Sequence, residues 1–270
     1  MRVGLGYHPE LSLDAPEVQS RLDCVEITAD EFFNSTPSQR TPLVRIREAV
    51  TVLVHGLELS IGSVTRPPQS YLDSVARVLE FTNPPYFSEH LAICSTANVN
   101  LGVFAPVWHT EDNLAVVASN VDRVQRFLGL PLVLETITKP FDIPGATMSE
   151  TEFISRLCAD TGCGILLDLT NVYINCRNLG GSYTDFAHHL PHDRIREIHL
   201  VGYGDNGDRL VDDHAHSIQP ELWQLYDFAL SMCTPQYVII ERDANFPPIN
   251  ELLGEVARAR WASRASSPGA

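Results

Sequence analysis

Apolar residues along this chain follow two spacings, which alternate from residue 2 to about residue 261. Short continuous apolar runs are typical of buried parallel strands, and apolar residues three and four apart are typical of amphipathic helices. The runs predict strands at 2–6, 23–28, 50–54, 87–90, 131–135, 164–168, 196–200 and 237–241. The helical spacing predicts helices at 38–48, 70–81, 112–128, 148–160, 184–189, 220–231 and 249–261. A loop is expected after residue 168, and a long Gly/Asp-rich loop over about 202–217.

Strands and helices that alternate in this way are typical of parallel sheets with helical crossovers. Eight such units in 270 residues fit a closed (β/α)8 barrel better than an open sheet, because one such domain takes roughly 250 residues. No linker-like stretch divides the chain, so the sequence predicts one α/β barrel domain over residues 1–262. The small, polar segment 263–270 is expected to be a disordered tail.

The charge balance restricts the partners of the protein. The net charge is -15 and the pI is near 5.0. A nucleic-acid partner is disfavoured, because phosphates would be repelled and the sequence shows no Lys/Arg-rich run. The acidic excess fits cation binding, and it fits an ordinary solvated surface equally well.

The cysteines are scattered, at positions 24, 94, 158, 163, 176 and 233. They form no CxxC pair, so neither a zinc ribbon nor a thioredoxin-like site is indicated. No apolar run approaches the ~20 residues that span a bilayer. Since no signal peptide is evident either, we expect a cytoplasmic protein with reduced cysteines and no membrane partner.

Each predicted strand after the first has a histidine, aspartate or glutamate at its C-terminal end or within two residues of it. In a (β/α)8 barrel the C-terminal ends of the strands surround the active-site mouth. We therefore expect a set of polar side chains to converge there. They are Glu26, His55, Glu89, His90, Glu135, Asp168, Asn171, His199, Glu241 and Asp243, joined by Asp212, Asp213, His214 and His216 from the loop after the seventh strand.

Taken singly, these residues have ordinary structural explanations, such as an ion pair for Glu135 or Glu241 and a solvated turn for Asp212. Together they favour metal binding, because so many carboxylates would repel one another without cations. Strand alternation is expected to point Arg242 away from Glu241. Imidazole and carboxylate groups without thiolate suit iron, manganese or zinc. The ligands exceed what one ion accepts, so two or three metals are expected, with a carboxylate such as Glu135 bridging.

Six segments of the chain carry polar residues in distinctive short motifs. They are VHGLELSIGS around His55, SEHL with His90, LLDLTNVYINCRNLG at 166–180, IHLVG with His199, DDH at 212–214 and IERD at 240–243. Together these segments resemble motifs of the multinuclear non-haem iron-dependent oxidases. The likeness runs from Gly4 to about Arg260. The family usually shows Glu-Asn after the fifth strand, whereas Glu135 is followed here by Thr136. The chain therefore lacks the asparagine amide that the family usually places behind its metal ligands at this position.

The resemblance implies a set of iron ligands, which are His55, His90, Glu135, Asp168, Asn171, His199, Asp212, His214 and Glu241. Candidates for positions behind them are Glu26, Glu89, Asp243 and His216. It further implies two or three iron ions (Fe2+/Fe3+) and O2 as co-substrate. The implied reaction oxidises a cysteine of a ribosomally made precursor peptide, with a partner protein that recognises the peptide. The segment at 26–32 favours excision of the cysteine β-carbon, as in 3-thiaglutamate synthesis, over oxazolone and thioamide formation, as in methanobactin synthesis.

Other metal-dependent barrels remain alternatives, since sugar isomerases and trinuclear-zinc endonucleases also place His, Asp and Glu at strand ends. An endonuclease should carry basic DNA-contacting loops, which the charge of -15 disfavours. An isomerase usually needs a catalytic lysine near the metals, and Lys139 is the only lysine expected on a mouth loop. A non-catalytic barrel that binds metal or peptide is the last alternative. Cys176, expected in the loop after Asp168, is the cysteine nearest the predicted site and is expected to be incidental.

Overall fold

Eight parallel strands form a closed barrel, surrounded by helices, in a computed structural model that describes residues 1–96 and 99–265. The strands are β1 (Arg2–Gly6), β2 (Cys24–Thr28), β3 (Thr51–Gly56), β4 (Phe87–His90), β5 (Ile93–Thr96), β6 (Val99–Ala105), β7 (Leu132–Glu135), β8 (Gly164–Asp168), β9 (Ile195–Leu200), β10 (Gly202–Asp205), β11 (Leu210–His216) and β12 (Tyr237–Ile240). The α-helices are α1 (Pro16–Gln19), α2 (Pro37–Ala49), α3 (Gln69–Thr82), α4 (Glu111–Leu128), α5 (Glu150–Thr161), α6 (Leu169–Leu179), α7 (Tyr183–His188), α8 (Pro220–Met232) and α9 (Ile249–Ala265). Short 3-10 helices cover Pro9–Leu11, Ala29–Phe32 and His192–Arg194.

The predicted (β/α)8 barrel is confirmed. The barrel order is β1-β12-β9-β8-β7-β4-β3-β2, and every neighbouring pair is parallel. The apolar runs predicted as strands are buried on both faces, because side chains pack inside the barrel and against the helices outside it. Ser149 caps α5 as its sequence position suggests, since its side chain accepts a hydrogen bond from the Glu152 amide. Among the described helices, none is long and apolar enough to cross a membrane.

Two predicted loops are wrong. The segment predicted as a loop over 202–217 is largely the antiparallel hairpin of β10 and β11. The expected loop after Asp168 is the helix α6, which begins directly at Leu169, so Cys176 lies on a helix. A second antiparallel hairpin, β5 with β6, follows β4. Both hairpins rise from strand ends at the mouth of the barrel.

The C-terminal end of the chain also differs from the prediction. Helix α9 continues to Ala265, beyond the expected domain boundary at residue 262. Residues 263–265 therefore belong to a helix. Residues 266–270 of the expected tail lie outside the described residues.

Gly4 and Gly254 form a matched pair for testing how tightly the barrel is packed. A Cβ on Gly4 would overlap the backbone carbonyl of Cys24 on the neighbouring strand, whereas a Cβ on Gly254, in α9, would meet nothing. We expect Gly4→Ala to lower the free energy of unfolding by about 3 kcal/mol, because backbone cannot yield cheaply. We expect Gly254→Ala to raise it by about 0.5–1 kcal/mol through helix propensity. Denaturant unfolding measures both, and equal effects of the two changes would contradict the packing.

Candidate metal centre

Strand register brings the polar strand ends to one level of the barrel. His90 on β4 is paired with Glu135 on β7, and Asp168 on β8 is paired with His199 on β9. His55 on β3 lies opposite Ser88 on β4. Neighbouring parallel strands lie about 4.8 Å apart, so paired residues with the same side-chain direction come into contact. The sequence therefore places imidazole and carboxylate groups side by side around the mouth.

Glu135 lies between two histidines. Its Oε2 atom is 3.1 Å from His55 Nε2 and 3.2 Å from His90 Nε2. The other ring nitrogen of His90, Nδ1, lies near the Gly56 carbonyl at 3.2 Å and Glu89 Oε1 at 3.3 Å, and both of these are acceptors. His90 Nδ1 must therefore carry a hydrogen, which leaves Nε2 to face the Glu135 carboxylate. In a neutral imidazole that nitrogen presents a lone pair, which suits a cation between the two groups.

His199 occupies the centre of a second group of ligand atoms. Its Nδ1 atom is 3.2 Å from Glu241 Oε2 and 3.9 Å from Glu135 Oε1. Its Nε2 atom is 2.9 Å from Glu26 Oε1. Ligand atoms of Glu135, Asp168 and His199 lie within 4.8 Å of one another, as do those of His55, His90 and Glu135. Glu135 belongs to both sets, which is the arrangement expected of a bridging carboxylate.

The hairpin of β10 and β11 and the end of β12 supply a third group. His214 Nε2 is 2.8 Å from Asp212 Oδ1, and His214 Nδ1 is 2.8 Å from Asp243 Oδ2 and 3.9 Å from Glu241 Oε2. His8, in the loop after β1, approaches the same aspartate, with its Nε2 atom 3.0 Å from Asp243 Oδ1. His214 has a positive φ of 49°, which is uncommon for a residue other than glycine. The hairpin therefore turns its histidine towards the barrel axis at some conformational cost.

Several oxygens in these groups are buried and lack a hydrogen-bond donor among the described residues. They are Glu135 Oε2, Asp168 Oδ2, Asn171 Oδ1, Asp212 Oδ1 and Glu241 Oε2. Some of them lie within 3.3 Å of an imidazole nitrogen without the alignment of a hydrogen bond. Buried polar atoms without partners are costly in a folded protein. Convergent oxygens and nitrogens with free lone pairs fit bound cations. The residues of this site therefore have the chemistry needed to bind metal ions.

The pKa values of the buried groups also reflect repulsion between neighbouring carboxylates. Burial, followed by the negative charges of Glu135 and Asp212, raises the pKa of Asp168 well above its usual range. Burial alone would lower the pKa of His90, but the charge of Glu135, together with the contacts to Glu89 and the Gly56 carbonyl, outweighs it and raises that pKa to about 9. A carboxyl group resists ionisation where other carboxylates surround it, and added positive charge removes that penalty. The side chains are therefore arranged for more positive charge than the histidines provide.

The nine predicted ligands come together. A cavity of about 170 Å3 is lined by His55, His90, Glu135, Asn171, Asp212, His214 and Glu241. Asp168 and His199 are buried beside Glu135.

The residues expected behind the ligands divide into two groups. Glu26, Glu89 and Asp243 each contact a histidine of the site. His216 does not join them, because β11 directs it outwards, where its half-exposed side chain pairs with Asp213. The expected Glu-Asn amide is replaced at Thr136 by a hydroxyl that accepts a hydrogen bond from the Asp168 amide at 3.1 Å.

Two further contacts were missed by the sequence analysis. His8 follows the first strand in the sequence Tyr-His-Pro, so the strand-end rule could have included it. Glu197, two residues before His199 on β9, is fully buried inside the barrel, where its Oε2 atom accepts a hydrogen bond from the Tyr86 hydroxyl at 3.1 Å. Only the alternation of β9 could have indicated that Glu197 and His199 face the same side.

Three other residues considered in the sequence analysis, namely Lys139, Arg242 and Cys176, are not part of the ligand cluster. Lys139 Nζ is bound to Glu150 at 2.9 Å and Asp142 at 3.2 Å. Arg242, just beyond the end of β12, is buried and its guanidinium lies 4.0 Å from Glu255, so it is directed away from the site as expected. Cys176 lies beside Lys139 in a separate cavity between α5, α6 and α7.

Ser88 holds one of the candidate ligands in place. Its hydroxyl is 3.0 Å from His55 Nδ1, and it can donate its own hydrogen to the Val54 carbonyl at 3.3 Å. We expect Ser88→Ala to weaken metal binding at this site by about 10–100-fold, the usual effect of losing a partner behind a metal ligand. Titration of the purified protein with divalent metal ions measures this, with Ser74→Ala on the outer helix α3 as control. Equal metal affinity in the two variants would contradict the positioning role.

A closed (β/α)8 barrel with imidazole and carboxylate groups gathered at its C-terminal mouth places this chain among the barrels whose active-site mouth offers ligand atoms for metal ions. The family model described as "RiPP precursor modification enzyme MbnB/TglH/ChrH" matches residues 2–264. The chain belongs to this family, and the resemblance read from its motifs is confirmed. It is therefore a member of a family of enzymes that modify ribosomally synthesised peptide precursors.

Curated relatives and solved structures agree with this assignment at different levels. A UPF0276 protein of Chromobacterium violaceum is 33% identical over 260 residues, covering 95% of this chain and 93% of the relative. A UPF0276 protein of Caulobacter vibrioides is 32% identical over 267 residues, covering 96% and 94%. A D-psicose 3-epimerase from Clostridium cellulolyticum H10 has a TM-score of 0.63 at 11% identity, covering 98% of this chain and 99% of the epimerase. At that identity the epimerase shows the shared barrel fold alone.

Proposed function

We propose that this protein is a multinuclear non-haem iron, O2-dependent oxidase that modifies a cysteine of a ribosomally synthesised precursor peptide, acting with a partner protein. Within that class we favour excision of the cysteine β-carbon over oxazolone and thioamide formation. The observation that carries the proposal is the convergence of unpaired carboxylate and imidazole atoms around Glu135 in the mouth cavity. Membership of the precursor-modifying family supports a peptide as the substrate.

The residues that would hold iron form three neighbouring groups. His55 and His90 face one oxygen of Glu135, and Asp168 and His199 lie towards its other side. The third group is Asp212, His214 and Glu241, with Asn171 lining the same cavity. Iron bound there would supply the electron transfer with O2 that imidazole and carboxylate groups cannot carry out.

Side chains around the cavity orient the histidine rings and limit the access of water. Glu89 and Ser88 fix the rings of His90 and His55 through their Nδ1 atoms, so that both Nε2 atoms face Glu135. Phe104 stacks on the His90 ring with a centroid distance of 3.9 Å and lines the cavity. This aromatic cover limits water at the His90 side of the site, which strengthens electrostatic interactions within it. A thiol that enters the cavity meets a site able to favour its thiolate form once cations are bound.

A sugar epimerase function is the second candidate, because the barrel fold is shared with sugar epimerases. The structure offers less for it, since the ammonium group of Lys139, the sole lysine of the sequence, is bound by Glu150 and Asp142. A multinuclear iron site would use all three groups of side chains, whereas proton transfer on a sugar needs fewer side chains.

The deciding experiment starts with anaerobic Fe2+ loading of the purified protein and measurement of bound iron. We expect more than one iron per chain and a new thiolate-to-iron absorption band when a short peptide ending in cysteine is added. Admission of O2 with precursor peptide and partner protein should remove a methylene mass from the peptide. Loss of hydrogen alone would favour oxazolone and thioamide formation. A protein that binds iron without any spectral response to thiol would contradict thiolate binding, and peptide-independent sugar epimerisation would support the second candidate.

A further inference from the structure

A groove of about 860 Å3 opens beside the candidate metal cavity. One wall is the hairpin strand β6, and the other is the hairpin strand β11 together with the end of α6. Its surface is mainly apolar, and Val103 and Val211 on the two hairpins are 66% and 38% exposed. Exposed aliphatic side chains on facing walls are characteristic of a binding groove.

The groove and the metal cavity are continuous. Both are lined by Leu57, Phe104, Thr138 and Asp212. The metal cavity, at about 170 Å3, is smaller than the roughly 300–1,000 Å3 of ordinary ligand pockets. It has room for a single small side chain but not for the chain that carries it. A peptide whose cysteine enters the cavity must therefore continue into a neighbouring opening, and the groove is a large opening that shares four lining residues with the cavity.

The positive charge of Arg209 at the groove favours a ligand that carries an acidic group. Arg209, in the turn of the β10–β11 hairpin, lines the groove but not the metal cavity, and its Nη2 atom donates to the Pro140 carbonyl at 3.1 Å. Within residues 1–96 and 99–265 no carboxylate forms an ion pair with it. The other cation of the groove, Lys139, is bound by two acids. In a chain of net charge -15, an exposed guanidinium without an acid is available for an acidic group of a ligand.

The walls of the groove are held in place by side chains. Asn178 on α6 donates to the Leu210 carbonyl at 2.9 Å and accepts from the Leu210 amide at 3.0 Å. On the other wall, the Asn100 amide group approaches Glu58 Oε1 at 3.3 Å. Both hairpins are thus tied to the barrel, and the groove exists before a ligand arrives. A preformed groove reduces the ordering cost of binding.

We propose that this groove binds the segment of the substrate peptide next to the reactive cysteine, with aliphatic or aromatic side chains between the two hairpins and an acidic group against Arg209. The inference rests on the proposed function, because the cysteine that anchors the peptide is the one to be modified. The recognised chemistry is an extended apolar segment that carries one negative charge and ends at a thiol beside Phe104.

The test uses binding alone, without metal or O2, so that it stands apart from the oxidase proposal. The probes are fluorescein-labelled peptide pools in which an acidic residue is followed by two to five aliphatic or aromatic residues and a terminal serine. A matched pool carries lysine in place of the acid. We expect the full-length protein to bind the acidic pool about tenfold more tightly than the lysine pool at low salt. Arg209→Glu should reverse that preference, whereas Arg126→Glu, exposed in the last turn of α4, should leave it unchanged.

The apolar walls are tested by charge insertion. We expect Val103→Glu and Val211→Glu each to weaken binding of both pools by about tenfold, because a charge replaces a buried aliphatic contact. Val64→Glu is the matched control, since Val64 is 80% exposed and does not line the groove. Thermal melts show whether each variant is folded. Absence of saturable binding by the wild type, or wild-type binding by both wall variants, would overturn the inference.

Two further outcomes separate the causes. If the wall variants keep the peptides but lose the partner protein, the groove is a docking surface for that protein and the inference is wrong. If the peptides bind as expected while the protein holds no iron, the groove stands and the oxidase proposal fails.

Discussion

Glu135→Gln is expected to remove most of the bound iron and to abolish oxidation of the peptide. Glu135 is the one carboxylate that faces both His55 and His90 and also belongs to the set with Asp168 and His199. A glutamine has the same shape but replaces one anionic oxygen with a donor amide, so it cannot bridge two cations. We expect iron affinity to fall by more than about 100-fold, beyond the usual effect of losing a residue behind a ligand. Metal analysis after anaerobic loading and a buffer exchange measures it.

Glu80→Gln provides the matched control, because Glu80 is exposed on the outer helix α3 and undergoes the same chemical change. The thermal melt of Glu135→Gln without metal measures the stability lost with its contacts to His55 and His90, and a cooperative transition shows that the variant is folded, which separates loss of iron from loss of fold. If Glu135→Gln retained its full complement of iron, a bridging role for this carboxylate would be wrong. Loss of a single iron with the others retained would place Glu135 at one ion only.

The core of the site could be predicted because a barrel translates position in a strand into position in space. His90 and Glu135 are 45 residues apart in the sequence, 135 − 90, yet they are partners across β4 and β7. Strand ends are marked in the sequence by the point where an apolar run stops. The prediction therefore needed the number of strands and their ends but no knowledge of side-chain packing.

The hairpins could not be predicted in the same way. The segment that forms β10 and β11 contains Gly202, Gly204 and Gly207 and several acidic residues, a composition typical of loops. It pairs as a hairpin because the Asn206 side chain closes its turn, accepting from the Arg209 and Asp208 amides. Local turn chemistry of this kind outweighs the low strand propensity of the segment. The groove, which depends on both hairpins, was consequently invisible at the level of sequence.

Individual side-chain directions account for the remaining differences. His216 and His214 lie two residues apart on β11, so simple alternation would turn both to the same side. The positive φ of His214 breaks that alternation, and only His214 reaches Glu241 while His216 pairs with Asp213. No sequence rule indicates a left-handed histidine in advance.

Helix α6 links the fold directly to the site through Asp168. Its Oδ1 atom accepts a hydrogen bond from the Asn171 amide at 2.7 Å and so caps the helix, while its Oδ2 atom is buried without a donor among the described residues. Capping brings the Asn171 side chain into the first turn of α6, where its Nδ2 atom donates to the Thr136 carbonyl at 3.1 Å. The same residue therefore starts a helix with one oxygen, while its carboxylate also belongs to the candidate metal-binding group with Glu135 and His199. This double use explains why the expected loop is a helix that begins at the strand end.

Asp168→Asn is expected to have opposite effects on stability with and without iron. Asparagine keeps the capping oxygen, so α6 should start as before, but it removes a buried carboxyl whose pKa is raised by burial and by the charge of Glu135. In chelator-treated protein we expect the variant to melt higher than the wild type, by roughly 3 °C or more, because like charges no longer crowd the mouth. With iron added, the wild type should gain stability by mass action and the variant should gain little. Calorimetry of both proteins measures this. We expect the variant to have the higher melting temperature in chelator and the wild type to have the higher melting temperature with iron.

Asp168→Ala separates the cap from the charge, because alanine removes both oxygens. It should melt below Asp168→Asn in chelator by the cost of a lost cap, about 1 kcal/mol, and it should respond as weakly to iron. If Asp168→Asn gained as much stability from iron as the wild type does, the free oxygen of Asp168 would not be a ligand. If the variant melted lower than the wild type in chelator, the carboxyl would be stabilised by groups other than bound cations, and the electrostatic reason for a metal at this mouth would be lost.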